Sequence, residues 1–183
     1  MLRKQLYFIV VVLLFVSVYT KSSFAQDYKG SVGGRFGFGI GLSGTYYLYN
    51  GHALEFMLRY GYHGLILNKP GAHIQALYQK HWELGRSNFT AYLGAGPGIG
   101  FGKRTNLSPT VYFAMGLSPQ VGFDYTAQRI KLPLIVSLDY KPAFHVDFPI
   151  NKKSTKILTD FSYYEIALSV KFGLSGKRGK RRY

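Results

Sequence analysis

An unbroken alternation between Phe89 and Phe101 constrains the fold of this chain more than any other feature of its sequence. Every second residue is apolar, in the order Phe89, Ala91, Leu93, Ala95, Pro97, Ile99 and Phe101, and the residues between them are Thr90, Tyr92, Gly94, Gly96, Gly98 and Gly100. Because successive side chains of a β-strand point to opposite faces, the pattern predicts a strand that separates two different environments.

The same alternation recurs along most of the chain. It covers residues 54–66, 72–83, 111–125, 132–146 and 164–172, although Leu77 and Lys80 depart from it in the second of these segments. Residues 31–49 also keep one phase, but a strand that crosses a membrane needs only about 9 to 11 residues. We therefore divide this segment near residues 39–44. The division gives eight predicted strands, an even number as in single-chain bacterial barrels.

The connections between the predicted strands differ in length. Asn50-Gly51 is a strong signal for a tight hairpin turn. Residues 84–88 and 126–129 are short polar connections, and residues 68–71, 103–109 and 146–161 are predicted as the longer ones. Short and long connections then alternate, as they do in a transmembrane barrel with tight periplasmic turns and longer external loops.

The charges on the polar face indicate which side of the strands is the inside. They are nearly balanced, with Glu55, Asp124, Asp139 and Glu165 against Arg35, Arg59, Lys141 and Lys171. Charges in a narrow interior must be paired because an unpaired buried charge is very costly, and eight strands enclose a space that side chains can fill. We therefore predict an all-β fold, an eight-stranded antiparallel up-and-down transmembrane β-barrel with a polar lumen filled by side chains.

The aromatic residues of the apolar face and the glycines of the polar face both agree with this barrel. Aromatic residues of the apolar face cluster at the strand ends, as in the girdles of transmembrane barrels. They are Tyr46, Trp82, Phe89, Phe123 and Phe172 near the short turns, and Phe38, Tyr60, Tyr62, Phe101, Phe113, Phe144 and Tyr164 near the longer connections. On the inner face, the glycine row from Gly94 to Gly100 is predicted to make room for the larger side chains of Arg35, Arg59 and Tyr112.

The first residues have the pattern of a secretory signal peptide. Arg3 and Lys4 precede an apolar run over residues 6–19, and Ser23-Phe24-Ala25 places small residues where a signal peptidase cleaves. We expect a cleaved signal peptide over residues 1–25, a barrel over 26–173, a basic and disordered tail over 174–183, and a location in the cell outer membrane. The chain has no cysteine, which excludes disulfides and thiolate metal sites.

Several short motifs resemble a known family. They are Gly33-Gly34-Arg35-Phe36-Gly37, Gly44-Thr45-Tyr46-Tyr47-Leu48, Ala53-Leu54-Glu55, Gly94-Ala95-Gly96, Leu138-Asp139-Tyr140-Lys141-Pro142 and a closing Ile166-Ala167-Leu168-Ser169-Val170-Lys171-Phe172. Together they resemble the small outer-membrane β-barrel proteins common in Bacteroidota, over nearly all of the mature chain. The resemblance implies a barrel that is inserted by the barrel-assembly machinery, and it implies no particular chemistry. Unlike the usual family member, this chain continues beyond its terminal aromatic Phe172.

Most of the excess positive charge lies outside the predicted lumen. Removal of the signal peptide leaves 20 of the 23 basic residues against 8 acidic ones. Five of the 20 are in the tail, at Lys177, Arg178, Lys180, Arg181 and Arg182, and five are in the longer connections, at Lys103, Arg104, Lys152, Lys153 and Lys156. The second group either contacts lipopolysaccharide phosphates or is simply solvated. Nucleic acid is not an expected partner of an exported chain without an aromatic-studded groove.

The function is predicted to be structural or surface-interacting, in a monomer with no catalytic residue, metal site or cofactor. The alternatives are an enzyme that modifies lipid A or lipopolysaccharide, and a narrow channel for small solutes. The enzymatic alternative would use His63, His73 or His145 with Ser137, Asp139 or Glu165, but no local motif brings these residues together. Residues 39–44 match a dinucleotide-binding glycine pattern, which we reject because a strand and not a helix follows it.

Overall fold

Strand segments of the chain pair into a single antiparallel sheet that closes on itself. The computed structural model describes residues 28–62, 70–84, 88–104, 110–127, 133–150, 158–162 and 165–174. The strands are β1 (Gly30–Phe36), β2 (Gly39–Tyr47), β3 (His52–Tyr62), β4 (Pro70–Glu83), β5 (Phe89–Arg104), β6 (Thr110–Ala127), β7 (Leu134–Tyr140), β8 (Ala143–Pro149), β9 (Leu158–Ser162) and β10 (Ile166–Leu174).

Closure of the sheet makes an eight-stranded barrel, as predicted. Each of β1 to β4 pairs with the next strand, β5 pairs with β6, β6 pairs with β7, and β7 pairs with β10, which pairs with β1. The remaining segments, β8 and β9, continue β7 and β10 along the same wall. The first half of β6 therefore pairs with β8 and its second half with β7. Among the described residues, no helix is long and apolar enough to cross a membrane.

Alternation along the strands gives the barrel a polar inside and an apolar outside. Buried residues in the wall are mainly polar or charged, whereas the large apolar residues of the intervening positions are exposed. Ile40, for example, is 65% exposed and Leu117 is 62% exposed, while Ser118 is 2% exposed. β4 keeps the alternation despite its irregular sequence, because Leu77 points inward and is buried while Lys80 lies on the outer face.

The first hairpin turn lies earlier than predicted. Only Gly37 and Phe38 separate β1 from β2, and the glycine-rich residues 39–44 belong to β2. A Cβ atom at Gly39 would lie 2.5 Å from the carbonyl oxygen of Tyr60 on β3. These glycines therefore permit close approach of two strands and do not form the turn. The predicted turn at Asn50-Gly51 is confirmed, since Asn50 (φ 56°) and Gly51 (φ 73°) both have the positive φ that a tight hairpin requires.

Several strands are longer than the sequence pattern predicts. The predicted connections over 103–109 and 146–161 are wrong at their ends, because β5 runs to Arg104, β8 runs to Pro149 and β9 begins at Leu158. Likewise β6 runs to Ala127, and β4 begins at Pro70. The simple alternation of short and long connections is also wrong, because the shortest connection, at Gly37 and Phe38, lies at the end predicted to carry the longer ones.

The predicted strand over residues 132–146 is interrupted. β7 ends at Tyr140, and β8 begins at Ala143 after Lys141 and Pro142. Proline has no N–H to donate to a sheet ladder, and Pro142 lies at the break, but Pro97 and Pro119 lie inside β5 and β6 without interrupting them. The backbone N–H of Lys141 instead donates to the carbonyl oxygen of Glu165, 2.8 Å away, between β9 and β10.

The glycine row of β5 makes room for neighbours other than the predicted ones. The side chains nearest to Gly94, Gly98 and Gly100 are Gln79, Gln75 and His73 of the adjacent strand β4, and not Arg35, Arg59 or Tyr112. A Cβ atom at Gly98, for example, would lie 2.8 Å from Cγ of Gln75. The small residues of β5 thus allow the side chains of β4 to lie across the inner wall.

Candidate functional site

The eight charged residues predicted for the lumen all lie inside the barrel. They are Arg35, Glu55, Arg59, Asp124, Asp139, Lys141, Glu165 and Lys171, and each is at most 6% exposed. They come from strands all round the wall and are brought together only by closure of the sheet. The interior is therefore the candidate functional site, and its contacts indicate what the barrel can do.

Arg35 and Asp139 form a two-pronged ion pair. Nη1 of Arg35 donates to Oδ2 of Asp139 at 2.6 Å, and Nη2 donates to Oδ1. The hydroxyl of Tyr92 donates to the same carboxylate at 3.3 Å, and Ser169 lies 3.4 Å from Nη1 of Arg35. Two parallel charge-assisted hydrogen bonds fix the orientation of both groups, so this pair joins β1 to β7 across the intervening β10.

Glu55 is the centre of a second group, which we call the Glu55 cluster. Its carboxylate accepts hydrogen bonds from Nζ of Lys171 at 2.6 Å and from Nε2 of Gln79 at 2.6 Å. Gln79 also donates to Oε1 of Gln120 at 2.9 Å. The cluster thereby connects β3, β4, β6 and β10. Its carboxylate is satisfied by one cation and by neutral amides, as a buried charge requires.

Glu165 is the centre of a third group, the Glu165 cluster. It forms ion pairs with Arg59 and with Lys141, whose Nζ lies 3.2 Å from Oε1 of Glu165. Lys141 also donates to Oε1 of Gln75, which in turn donates through Nε2 to the hydroxyl of Ser118 at 3.1 Å. Lys141 thus reaches from the break between β7 and β8 to β4, on another part of the wall.

Aromatic rings fill the interior near the start of β1. His81 stacks on Tyr92 at a centroid distance of 5.0 Å and meets the edge of Tyr47 at 5.6 Å, and Tyr47 packs against Tyr28 at 5.1 Å. Nδ1 of His81 lies 3.8 Å from Oδ2 of Asp124. Burial raises the pKa of Tyr28 above its ordinary value, so its hydroxyl keeps the proton. These rings pack against one another inside this end of the barrel.

Some interior residues were missed or undervalued in the sequence. Asp147 is buried in β8 with His145 Nε2 at 3.6 Å, whereas the sequence pattern assigned it to a loop. The signal was present, because the inward phase of residues 141, 143 and 145 continues to 147. Gln75, Gln79 and Gln120 were recognised as polar-face residues but not as bridges, since hydrogen bonds between distant strands leave no mark in the sequence.

A small cavity lies beside the Glu165 cluster. Its polar lining comes from His73, Gln75, Ser118 and His145, and its volume is about 20 Å³. A space of this size holds about one water molecule. It is far too small for a solute.

The contacts of the predicted catalytic residues are relevant to the enzymatic alternative. His73 and His145 share the cavity, but Asp139 is bound by Arg35 and Glu165 by Arg59 and Lys141. The two carboxylates predicted as catalytic partners of these histidines are therefore held by basic residues. His63 lies outside the described residues, and within them no three His, Asp or Glu side chains are placed to hold a metal ion.

The remaining predicted regions have few structural counterparts. Lys103 and Arg104 belong to the end of β5 and not to a loop. Lys152, Lys153 and Lys156 lie outside the described residues, as do the predicted signal peptide and residues 175–183. The lipopolysaccharide contact stays a prediction.

No family model, curated protein or solved structure matches the chain.

Proposed function

We propose that the chain is an outer-membrane β-barrel protein with a blocked interior and a structural or surface-interacting role. The observation that carries this proposal is the inverted polarity of the barrel, with charges buried inside and large apolar residues exposed all round it. Soluble proteins rarely expose a continuous apolar surface of this extent. A lipid bilayer is the environment in which such a surface is stable, and a closed barrel satisfies its own backbone hydrogen bonds there.

Strand length supports the same environment. β3, β4, β5 and β6 have 11, 14, 16 and 18 residues, at or above the about 9 to 11 that cross a membrane. One continuous row of outward residues, Leu42, Leu58, Ile74, Ile99 and Met115, runs through paired positions of five neighbouring strands. This row would lie in the hydrocarbon region.

Outer aromatic pairs at both ends of the strands fit the two membrane interfaces. Phe89 and Tyr125 contact at 4.9 Å at one end of the β5–β6 pair, and Phe101 and Phe113 contact at 5.1 Å at the other. Phe148 extends the second pair at 6.4 Å from Phe113. Two separated aromatic girdles are typical of transmembrane barrels.

The interior contacts favour a barrel that does not conduct. The Arg35–Asp139 pair, the Glu55 cluster and the Glu165 cluster connect strands that are not neighbours in the wall, and the cavity beside them holds about one water molecule. A channel would need these contacts to open. The predicted export signal and the resemblance to small outer-membrane barrels agree with this role, and the predicted partners are membrane lipids, lipopolysaccharide and the barrel-assembly machinery during insertion.

Fractionation and conductance test the proposal together. The full chain should be recovered with the outer membrane and should migrate differently on a gel with and without boiling, because a folded barrel resists detergent. In planar bilayers it should give negligible conductance. Recovery in the soluble fraction would refute the membrane proposal. Stable ohmic channels would favour the solute-channel alternative, and a change in lipid A mass that depends on His73 or His145 would favour the enzymatic one.

A further inference from the structure

Two polar residues lie next to each other on the mainly apolar outer face of the barrel. His52 begins β3, and Lys80 lies directly opposite it on β4. Both are half-buried on the outer face, next to the Asn50-Gly51 turn. A cationic side chain on a mainly apolar face needs a local reason.

The two residues form a structured cluster with Tyr78, which we call the Lys80 site. The rings of His52 and Tyr78 stack at a centroid distance of 5.5 Å, and the Tyr78 hydroxyl lies 2.5 Å from Nδ1 of His52. Nζ of Lys80 lies 3.2 Å from Nε2 of His52, and it also donates to the backbone oxygen of Asn50. These contacts hold the ammonium group on the outer surface beside the turn.

The ammonium group of Lys80 fixes the hydrogen-bond roles of His52 and Tyr78. An ammonium group only donates, so Nε2 of His52 accepts from Lys80 and Nδ1 carries the proton. Nδ1–H then donates to the Tyr78 oxygen. Because the Tyr78 oxygen accepts from His52, the hydroxyl of Tyr78, a residue that is 51% exposed, has its own proton to donate to a group outside the protein, close to the positive charge of Lys80.

We propose that the Lys80 site binds the phosphate of an anionic phospholipid headgroup. The inference rests on the proposed membrane function, because the Asn50-Gly51 turn lies at the barrel end where β1 begins and β10 ends, and this end would face the periplasm. Amphipathic side chains at that level place an apolar body in the bilayer and a polar tip at the headgroups. The Lys80 charge and the Tyr78 hydroxyl together match an anionic phosphate oxygen.

Lipid retention by the reconstituted full chain tests the inference. The protein is placed in nanodiscs with equal phosphatidylglycerol and phosphatidylcholine, and native mass spectrometry gives the ratio of the two lipids retained. The wild type should prefer phosphatidylglycerol. Lys80→Gln should lower that preference about fivefold, as expected for one lysine near an anionic surface. Tyr78→Phe should lower it about twofold, and Lys80→Arg should keep it.

Lys29→Gln is the matched control, since Lys29 is an exposed lysine at the same barrel end. If the Lys80 site binds the phosphate, Lys29→Gln should change the ratio of retained lipids much less than Lys80→Gln does. Equal effects would overturn the inference in favour of diffuse surface charge, and so would an inserted wild type with no preference. Insertion is checked first by the gel shift on boiling. A wild type that does not insert contradicts the proposed function itself, together with the inference that rests on it.

Discussion

Removal of the Arg35 charge should destabilise the barrel strongly. Arg35 is 2% exposed and the Asp139 side chain has no exposed surface. In Arg35→Met the Asp139 carboxylate would keep the Tyr92 hydroxyl at 3.3 Å but lose both of its charge-assisted hydrogen bonds. Breaking a buried ion pair on one side typically costs about 3 to 5 kcal/mol. We expect a loss of this size in the free energy of unfolding.

A double-mutant cycle measures the interaction energy between Arg35 and Asp139 separately from the other interior contacts. Asp139→Asn alone leaves the Arg35 guanidinium buried without its carboxylate, and it should also be costly. The double variant Arg35→Met/Asp139→Asn leaves neither charge, so its loss should fall short of the sum of the two single losses by about 2 to 3 kcal/mol. Ser169→Ala removes only a 3.4 Å contact with Arg35 and serves as the control, with a loss of about 1 kcal/mol or less.

Urea unfolding in lipid vesicles measures these differences. Trp82 is the single tryptophan of the chain and is half-buried on the outer face, so in a barrel inserted as proposed its fluorescence reports transfer between bilayer and water. Mobility on an unboiled gel gives a second measure of the folded fraction. The reasoning fails if Arg35→Met stays within about 1 kcal/mol of the wild type, or if the losses in the cycle are additive.

Two further changes test the wall of the barrel. Gly94→Ala should lower the free energy of unfolding by about 1 to 3 kcal/mol, because the new Cβ would lie 2.7 Å from Cγ of Gln79 and 2.8 Å from the Tyr78 carbonyl oxygen. Gly44→Ala is the control and should cost little, since the nearest atom to its Cβ would be 3.8 Å away. Equal losses in urea unfolding would contradict the packing argument. Leu58→Arg should cost about 2 to 4 kcal/mol in vesicles if Leu58 faces lipid, and a near-neutral result would indicate that it faces water.

The alternation in the sequence was sufficient to predict the inner and outer faces of most strands, although not where the strands begin and end. In β5 and β6 every second residue marks one face, and a strand period of two leaves no choice about which residues share it. The balance of charges then identified the polar face as the inside. All eight predicted lumen charges lie there because each follows the phase of its own strand or, for Lys141 and Glu165, of the strand next to it, a local property that a single sequence contains.

The partners of those charges could not be predicted. Arg35 contacts Asp139 only because β10 pairs with β1 on one side and with β7 on the other. That meeting depends on the stagger between strands, which no alternation encodes. The same holds for Lys141, which reaches Gln75 across the interior from a break in its strand.

Glycine and proline were the ambiguous residues. The glycines of residues 39–44 are equally compatible with a turn and with a close strand contact, and the structure contains the second. Pro142 lies at a break in the strand, whereas Pro97 and Pro119 lie inside the unbroken strands β5 and β6, so a proline in the alternation does not by itself predict where a strand ends. In both cases the contacts with the neighbouring strand determine whether the residue lies within a strand or outside it. Which strand is the neighbour cannot be read from the local sequence.

Accessibility of outward positions tests the central claim most directly. The chain has no cysteine, so single cysteines at Leu58, Ile99 and Leu117 can each carry one nitroxide label in a reconstituted bilayer. Asn88, exposed in the connection before β5, is the aqueous control. The three mid-strand labels should be relaxed by oxygen and hardly by a water-soluble nickel complex, and the Asn88 label should show the reverse. Mid-strand labels as accessible to nickel as the Asn88 label would contradict a barrel whose apolar face lies in lipid.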